Sequence, residues 1–479
     1  MMNLYKKISL LFLALFSYAV AFGQENDSLM IYLGVAAKNN PTVLQKYKEY
    51  EAALQKVPQV GALPDPVLSA GVFLSPMELL GGSQVADFRL MQMFPWFGTL
   101  KAAKDEMSLM AKAKYESFRD AKLQVFFEVQ QTWFELYKVQ QAIQISEKNL
   151  EILQTLERLS LVKFKAPSGT SNTPSKSSAT QNNAAQTTSS SSTGMQTMGG
   201  NSSAGSTANA PQSSAAMPGN AMNSTGGSGL ADLYRIQMEK GELENSIALL
   251  KNRKNTVVAQ FNSFLDKPAQ ALVKIPDSIK TNMLNIPILA VVDSILVQNP
   301  MLAMLNYEKQ SLEARKEMVT LMGYPMIGLG LNYALINKNP MSTSEMNGND
   351  MIMPMVTLTL PIYRKKYKAM RIEAEDLKLA KGYEIQATSN ALKTNYYEAV
   401  QNYEDSQRRV SLYKTQALLA NQSLRILIKS FSASGAGLTD LLIIRQQTLN
   451  YELKQVEAVA DFNTAIAKLQ RLMAYLQIQ

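Results

Sequence analysis

The sequence predicts a mostly helical α+β chain in which one structural plan is written twice. Three observations support that reading. Several phrases recur in near-copy at fixed separations. Within each copy the hydrophobic period switches from 3.6 to 2 and back. The first copy also runs from Gly98 to Pro167 with neither Pro nor Gly between them, which leaves room for one very long helix.

The offsets between the copies locate an insertion. AAKNNPTVLQKYKEYEAALQKV (36–57) is echoed by ILVQNPMLAMLNYEKQSLEARKEM (295–318), and LMQMFPWFGTLKAAK (90–104) by TLTLPIYRKKYKAM (357–370). LVKFKAPSG (161–169) is echoed by LIKSFSASG (427–435). Pro95 and Pro361 differ by 266, whereas Gly229 of GLADL and Gly437 of GLTDL differ by 208; the difference, 266 − 208 = 58, is the length inserted into the first copy. The chain then divides into a leader (1–23), a first repeat (24–166 and 229–270) interrupted by an insertion (167–228), a linker (271–287), and a second repeat (288–479).

Each repeat opens with a short helix, near Ser28–Asn39 and Val291–Gln298, broken by the dipeptides Asn40-Pro41 and Asn299-Pro300. Proline at a first turn starts the next helix, expected to reach about Val57 and about Met322. Alternation follows. Leu68, Ala70, Val72 and Leu74 alternate with Ser69, Gly71 and Phe73, and Phe88 and Leu90 with Asp87 and Arg89. Ile327, Leu329, Leu331 and Tyr333 alternate with Gly328, Gly330 and Asn332, and Val356, Leu358 and Leu360 with Thr357 and Thr359. These are four strands with one apolar face and one small or polar face. Long helices are expected over about 98–165 and 364–431, the first on the spacing of Leu123, Phe126, Phe127, Gln130, Trp133, Phe134 and Tyr137. At 1.5 Å per residue each is on the order of 100 Å long, which implies an elongated molecule. Returning helices, about 230–265 and 438–475, close the repeats. The glycine of each GL[AT]DL phrase is expected at positive φ in the helix–helix turn.

Composition narrows the function. Lys6 and Lys7, the apolar run Ile8–Phe22 and the small residues Ala19, Ala21 and Gly23 form a secretory signal peptide, cleaved after Ala21 or Gly23. With no Cys there is neither a lipid-modified cysteine nor a disulfide framework, and with no His the usual general base is missing too. No Gly-rich phosphate loop or clustered carboxylate pair appears, so the chain is read as a non-enzyme with no cofactor. The formal charge of +9 falls to +7 once Lys6 and Lys7 leave with the signal (9 − 2 = 7), and the basic residues, spread along the helices, are expected to pair with Asp and Glu. That pattern describes solvated helices and not a nucleic-acid surface. No run of about eighteen apolar residues follows the leader, so no membrane helix is expected.

Strands of about nine or ten residues with one apolar face match the span of an outer-membrane barrel strand. Four strands cannot close a barrel, and an open edge in lipid leaves backbone groups unpaired. Several subunits must therefore contribute four strands each; three copies give a barrel of about twelve. The doubled order helix–NP–helix–strand–strand–long helix–tip–helix resembles the TolC family of outer-membrane efflux channels, over essentially the whole chain outside the leader and insertion. NNPTVLQ, GALPDPVLSAGV, QMFPWFG and the Gly-Leu tips look like its heavy-metal branch of CusC- and CzcC-like proteins. The resemblance implies a homotrimer in outer-membrane lipid, with a helical tunnel in the periplasm that docks on a periplasmic adaptor and an inner-membrane pump of the RND type. It implies that Gly229, Leu230, Gly437 and Leu438 meet the adaptor, and that Asp232 and Asp440 ring the periplasmic aperture. The Gly-to-Asp spacing here is shorter than the family's usual one, and each Asp equally suits a helix-capping role.

The insertion has one charged residue, Lys176, and four methionines, Met195, Met198, Met217 and Met222. A tract this polar is expected to stay unfolded. Thioethers are soft ligands suited to Cu(I) or Ag(I), the only soft donors in a chain without Cys; compositional drift in a low-complexity tract explains the same residues. Met341, Met346, Met351, Met353 and Met355 follow in NKNPMSTSEMNGNDMIMPM and read as loop or strand packing. A periplasmic adaptor of an efflux or secretion system is the alternative reading, since it too has helical hairpins and a signal peptide. It normally has one hairpin flanked by β-rich segments, and the duplication here argues against it. A trimeric coiled-coil adhesin lacks support because no passenger repeats appear.

Overall fold

In the computed structural model of the chain, residues 28–79, 81–165, 229–279, 281, 292–341, 343, 345–433 and 436–474 are described. The leader and the insertion, with Met195, Met198, Met217 and Met222, lie outside them. The elements run α1 (Ser28–Asn39), α2 (Pro41–Gly61), β1 (Val67–Leu79), β2 (Gly82–Phe94), α3 (Thr99–Lys165), α4 (Gly229–Phe264), α5 (Val292–Gln298), α6 (Pro300–Leu321), β3 (Met326–Asn337), β4 (Met351–Thr359), α7 (Arg364–Ser432) and α8 (Leu438–Leu472). The expected duplicated order of helices and strands is thus observed. The chain divides into two compact units, Met1–Leu150 with Leu243–Gln479, and Glu151–Glu242.

Both Asn-Pro junctions work in the same way. Asn40 is the N-cap of α2 and its Oδ1 accepts from the backbone N–H of Thr42 at 3.0 Å and Val43 at 3.3 Å. Asn299 caps α6 and accepts from the Met301 N–H at 3.0 Å. Each thereby satisfies a donor that the first turn leaves unpaired, while proline removes another. Helix α2 continues past the expected stop at Val57, through Pro58 to Gly61. Only the hydrogen bond from residue 58 is lost so near a helix end, so the turn survives.

The two repeats build equivalent cores. One cluster packs Ala36, Val43, Phe126, Trp133, Phe261 and Leu265, and the other packs Ile295, Leu302, Leu392, Ala399, Leu469 and Met473. Taken in order, the members correspond at the three offsets that align the repeats: 259 for the Asn-Pro pairs, 266 for the long helices and 208 for the returning helices. Helix α8 joins them, with Ala460 and Ala467 in the first cluster and Phe462, Ala465 and Leu469 in the second. The linker packs on the first core through Val273 and Ile279, and the Lys274 N–H donates to the Tyr32 hydroxyl at 2.9 Å.

The four strands form one antiparallel sheet in the order β1-β2-β3-β4. At 13, 13 and 12 residues, β1, β2 and β3 exceed the expected length. Pairing in β1 resumes at Met77 after a break in register at Val72, so the ladder continues where the apolar–polar alternation has ended. Strand β4 begins at Met351, five residues before the alternation that marks it, and takes in Met351, Met353 and Met355. Both edge strands contain a proline, Pro76 and Pro354, which sheets tolerate at their edges.

At the hairpin end, Gly82 has φ +129° and a Cβ there would stand 2.4 Å from the Asn337 carbonyl oxygen. The β3–β4 loop is tied by Asn347, whose Oδ1 accepts from the Asn339 N–H and whose Nδ2 donates to the Asn339 carbonyl, both at 2.8 Å. Gly348 N–H donates to the Gly81 carbonyl at 2.9 Å, which joins the two hairpin loops.

Candidate functional site

The register sorts the sheet into two faces. Cross-strand rungs align Leu68, Leu90, Leu331 and Pro354, then Ala70, Phe88, Tyr333 and Ile352, on one face. The opposite face aligns Ser69, Arg89, Asn332 and Met353, then Gly71, Asp87, Ala334 and Met351. Strand pleating alone makes this separation, because successive side chains point to opposite sides. The apolar face lies open: Val72 is 73%, Leu74 98% and Val356 76% exposed. Each large apolar side chain left in water forgoes about 1.5–3 kcal/mol of burial, so a face of this extent requires another cover. Among the described residues of the chain, β1 and β4 each pair on one side only.

The polar face has a sulfur stripe that the sequence pattern did not reveal as a unit. Met91 lies opposite Gly330, which lies opposite Met355, and Met93 lies opposite Gly328. The glycines make room for the thioethers: a Cβ on Gly328 would stand 2.7 Å from Met93 Sδ. Periodicity places these methionines on one face; only the register shows that Met91 and Met355 flank Gly330 from either side of β3.

The expected tip residues occupy helix starts. In the unit Glu151–Glu242, Gly229 is the first residue of α4, and Leu230 is 48% exposed with Tyr234 and Met238 exposed one and two turns on. Asp232 lies in the first turn of α4. Nearby, Glu157 on α3 accepts from Gln237 Nε2 at 3.2 Å and pairs with Lys240 at 3.5 Å. In the other unit, Gly437 is the N-cap of α8 with φ −78° and ψ 149°, and Leu438 is only 6% exposed. Asp440 lies in the first turn of α8, its Oδ2 3.7 Å from a Cβ built on Gly437. The expectation of positive φ at the tip glycines is corrected: Gly437 is extended and Gly229 helical. Glycine at a helix N-cap needs no left-handed backbone.

Left-handed residues do occur, at the opposite ends of the returning helices. Asp266 has φ 53° and Ala474 φ 51°, again at the 208-residue offset, so both repeats terminate in the same way without glycine. Among the described residues no group of three or more Asp or Glu is placed to hold a metal ion, and no helix is long and apolar enough to cross a membrane.

No family model matches the chain, and no curated protein matches its sequence. Solved structures match its fold. The outer-membrane channel OprN aligns with a TM-score of 0.69 at 11% identity, over 94% of this chain and 91% of that one. The outer membrane protein VceC from Vibrio cholerae aligns with a TM-score of 0.67 at 11% identity, over 93% of this chain and 96% of that one. CusC, a protein that forms a transmembrane channel, aligns with a TM-score of 0.67 at 12% identity, over 94% of this chain and 92% of that one. The fold is therefore the one adopted by these proteins, the duplicated TolC-like protomer. CusC stands no nearer than the others, so the fold does not single out a heavy-metal branch.

Proposed function

We propose that the chain is one protomer of an outer-membrane efflux channel, a passive conduit with no chemistry of its own. The observation that supports this best is the four-stranded sheet with an exposed apolar face and two edges paired on one side only. Three copies joined edge to edge give every strand two neighbours and present one continuous apolar band to lipid. The face with Asp87, Arg89 and Asn332 then lines water. An adaptor has no use for such a sheet. The likeness to OprN, VceC and CusC supports the same reading.

The finer assignments belong to the same proposal. The chain docks through Gly229, Leu230 and Gly437 on a periplasmic adaptor that serves an RND-type pump, while the expected fourth contact, Leu438, is buried and supports the tip from beneath. Asp232 and Asp440 narrow the periplasmic end, where a carboxylate ring favours cations. Soft cations such as Cu(I) or Ag(I) are the proposed cargo, supported by the thioethers of Met91, Met93 and Met355 on the water-facing side and by Met195, Met198, Met217 and Met222 in the insertion. Planar-bilayer recording of the purified protein tests the channel: discrete conductance steps are expected, and a bilayer that stays silent across preparations of folded protein contradicts it.

A further inference from the structure

Helix α7 begins just after β4 with Arg364-Lys365-Lys366-Tyr367-Lys368-Ala369-Met370-Arg371, and no acidic residue follows until Glu373. All five basic side chains are exposed. Among the described residues none of them forms an ion pair with a carboxylate; Lys366 instead lies over the Tyr367 ring, 5.9 Å from its centroid. The equivalent stretch of the first repeat, 266 residues earlier, reads GTLKAAKD, with two lysines and an aspartate. The cluster is thus a feature of one repeat and not of the shared plan.

Arg364, Tyr367 and Arg371 fall on one side of α7 and line an open cleft of about 660 Å³ with Tyr324, Leu360 and Ile362. Leu360 prolongs the apolar alternation of Val356 and Leu358, and both Leu360 and Ile362 are exposed. The cleft therefore begins where the apolar face of the sheet stops. Trp96 stacks on Tyr324 there, with ring centroids 5.2 Å apart and planes at 17°. Aromatic rings followed by cations at the end of an apolar wall are what a membrane–water boundary selects.

We infer that this cleft binds the headgroup of an anionic glycerophospholipid from the leaflet on the helical side of the sheet. The acyl chains lie along Leu358 and Leu360, and the phosphodiester sits between Arg364 and Arg371. Guanidinium groups suit that role because their paired donors match phosphate oxygens, and unpaired basic clusters beside an apolar span attract anionic lipid. The inference rests on the channel reading, which puts the apolar face in a bilayer.

Native mass spectrometry of the full-length assembly in mild detergent, titrated with phosphatidylglycerol or phosphatidylcholine, tests it. Phosphatidylglycerol is expected to be retained about tenfold more than phosphatidylcholine, with that preference abolished in Arg364→Gln/Arg371→Gln and only partly reduced in Arg364→Lys/Arg371→Lys. Trimer mass and bilayer conductance stay unchanged in both variants. Equal retention of the two lipids, or a preference that survives the Gln pair, overturns the site. Displacement of phosphatidylglycerol by inorganic phosphate at matching concentration assigns the cleft to a soluble anion and overturns the lipid. Conductance without lipid preference defeats this inference alone, whereas a wild type that neither assembles nor conducts defeats the channel reading with it.

Discussion

The Asn40 side chain donates from Nδ2 to the Phe264 carbonyl at 3.0 Å, across 224 residues of chain. The same amide accepts from the N–H groups of Thr42 and Val43, so one side chain both starts α2 and fixes it to the end of α4. Among the described residues, its counterpart Asn299 makes only the cap bond, to Met301, with its side chain. Asn299→Ala is expected to cost about 1 kcal/mol, the usual value of an N-cap. Asn40→Ala is expected to cost about 2–3 kcal/mol, because it also leaves a carbonyl without its donor. Thermal unfolding of the two variants in one detergent checks the order; equal shifts would contradict it.

The repeats join their second and long helices by different chemistry. Between α6 and α7, Lys316 pairs with Glu375 at 2.7 Å, Lys378 with Glu313 at 2.5 Å, and Lys381 with Glu308 at 2.8 Å. Between α2 and α3, aromatic pairs dominate, Tyr47 with Phe118 at 5.5 Å and Tyr50 with Tyr115 at 5.3 Å. The hydrogen bond from Lys316 holds the Glu375 carboxyl below its usual value of 4.5. A depressed carboxylate stabilises the fold above its unfolded value and loses that contribution as pH falls through the folded one. Acidification below about 4.5 should therefore weaken the α6–α7 contact. Glu49 on α2, held below 4.5 by the hydrogen bond from Lys46, loses its pair with Lys114 in the same range, so that α2 keeps its aromatic contacts alone. High salt should act in the same direction, though more weakly, since these pairs are only partly exposed. Hydrogen exchange resolved by helix measures the difference.

Asp120 behaves in the opposite way. Burial raises its carboxyl above the usual 3.8, only partly opposed by the positive charge of Arg471. A raised carboxylate disfavours the folded state once ionised, so its penalty grows as pH rises through the unfolded value and is present at neutrality. Asp120→Asn should leave stability unchanged or raise it by a few degrees in Tm at pH 7, and the gain should vanish near pH 3. A fall in Tm at pH 7 would show that the charge is used.

Glycine substitutions separate backbone need from free choice. Gly82→Ala places a Cβ 2.4 Å from the Asn337 carbonyl oxygen at a φ of +129°, so the hairpin end should rearrange and the assembly lose heat resistance. Gly34→Ala in α1 meets nothing within 4 Å and should stabilise the helix by up to about 1 kcal/mol. Gel mobility of heated and unheated samples distinguishes the two.

At the tips, Asp232→Ala with Asp440→Ala should raise cation conductance if the carboxylates narrow the aperture, and unchanged bilayer currents would remove that role. Deletion of 170–226 should leave the oligomer intact, because the tract lacks the apolar residues to form part of a core. Loss of the oligomer in that deletion would make the tract structural.

Much of this fold was legible because its signals are local. The Asn-Pro pairs set helix starts through cap geometry, and the alternation from Leu68 and from Ile327 marks the sheet faces. The long helices end within one or two residues of Gly98, Lys165 and Phe431. What was not legible depends on partners distant in sequence. Backbone pairing carries β4 back to Met351, through a segment whose side chains alternate too weakly to mark it. Left-handed turns at Asp266 and Ala474 have no glycine to announce them. The Met91–Gly330–Met355 rung exists only once the register of three strands is known. Leu230 and Leu438 read identically in sequence, yet one is exposed and the other buried, because burial depends on packing and not on the phrase.

The oligomeric mass of the mature protein, extracted from outer membranes in mild detergent, tests the central claim most directly. The account predicts a trimer that requires detergent, since three four-stranded sheets must close one barrel within lipid. A monomer recovered from the soluble periplasmic fraction would contradict it, because the exposed face of β1–β4 would then have no bilayer to cover it.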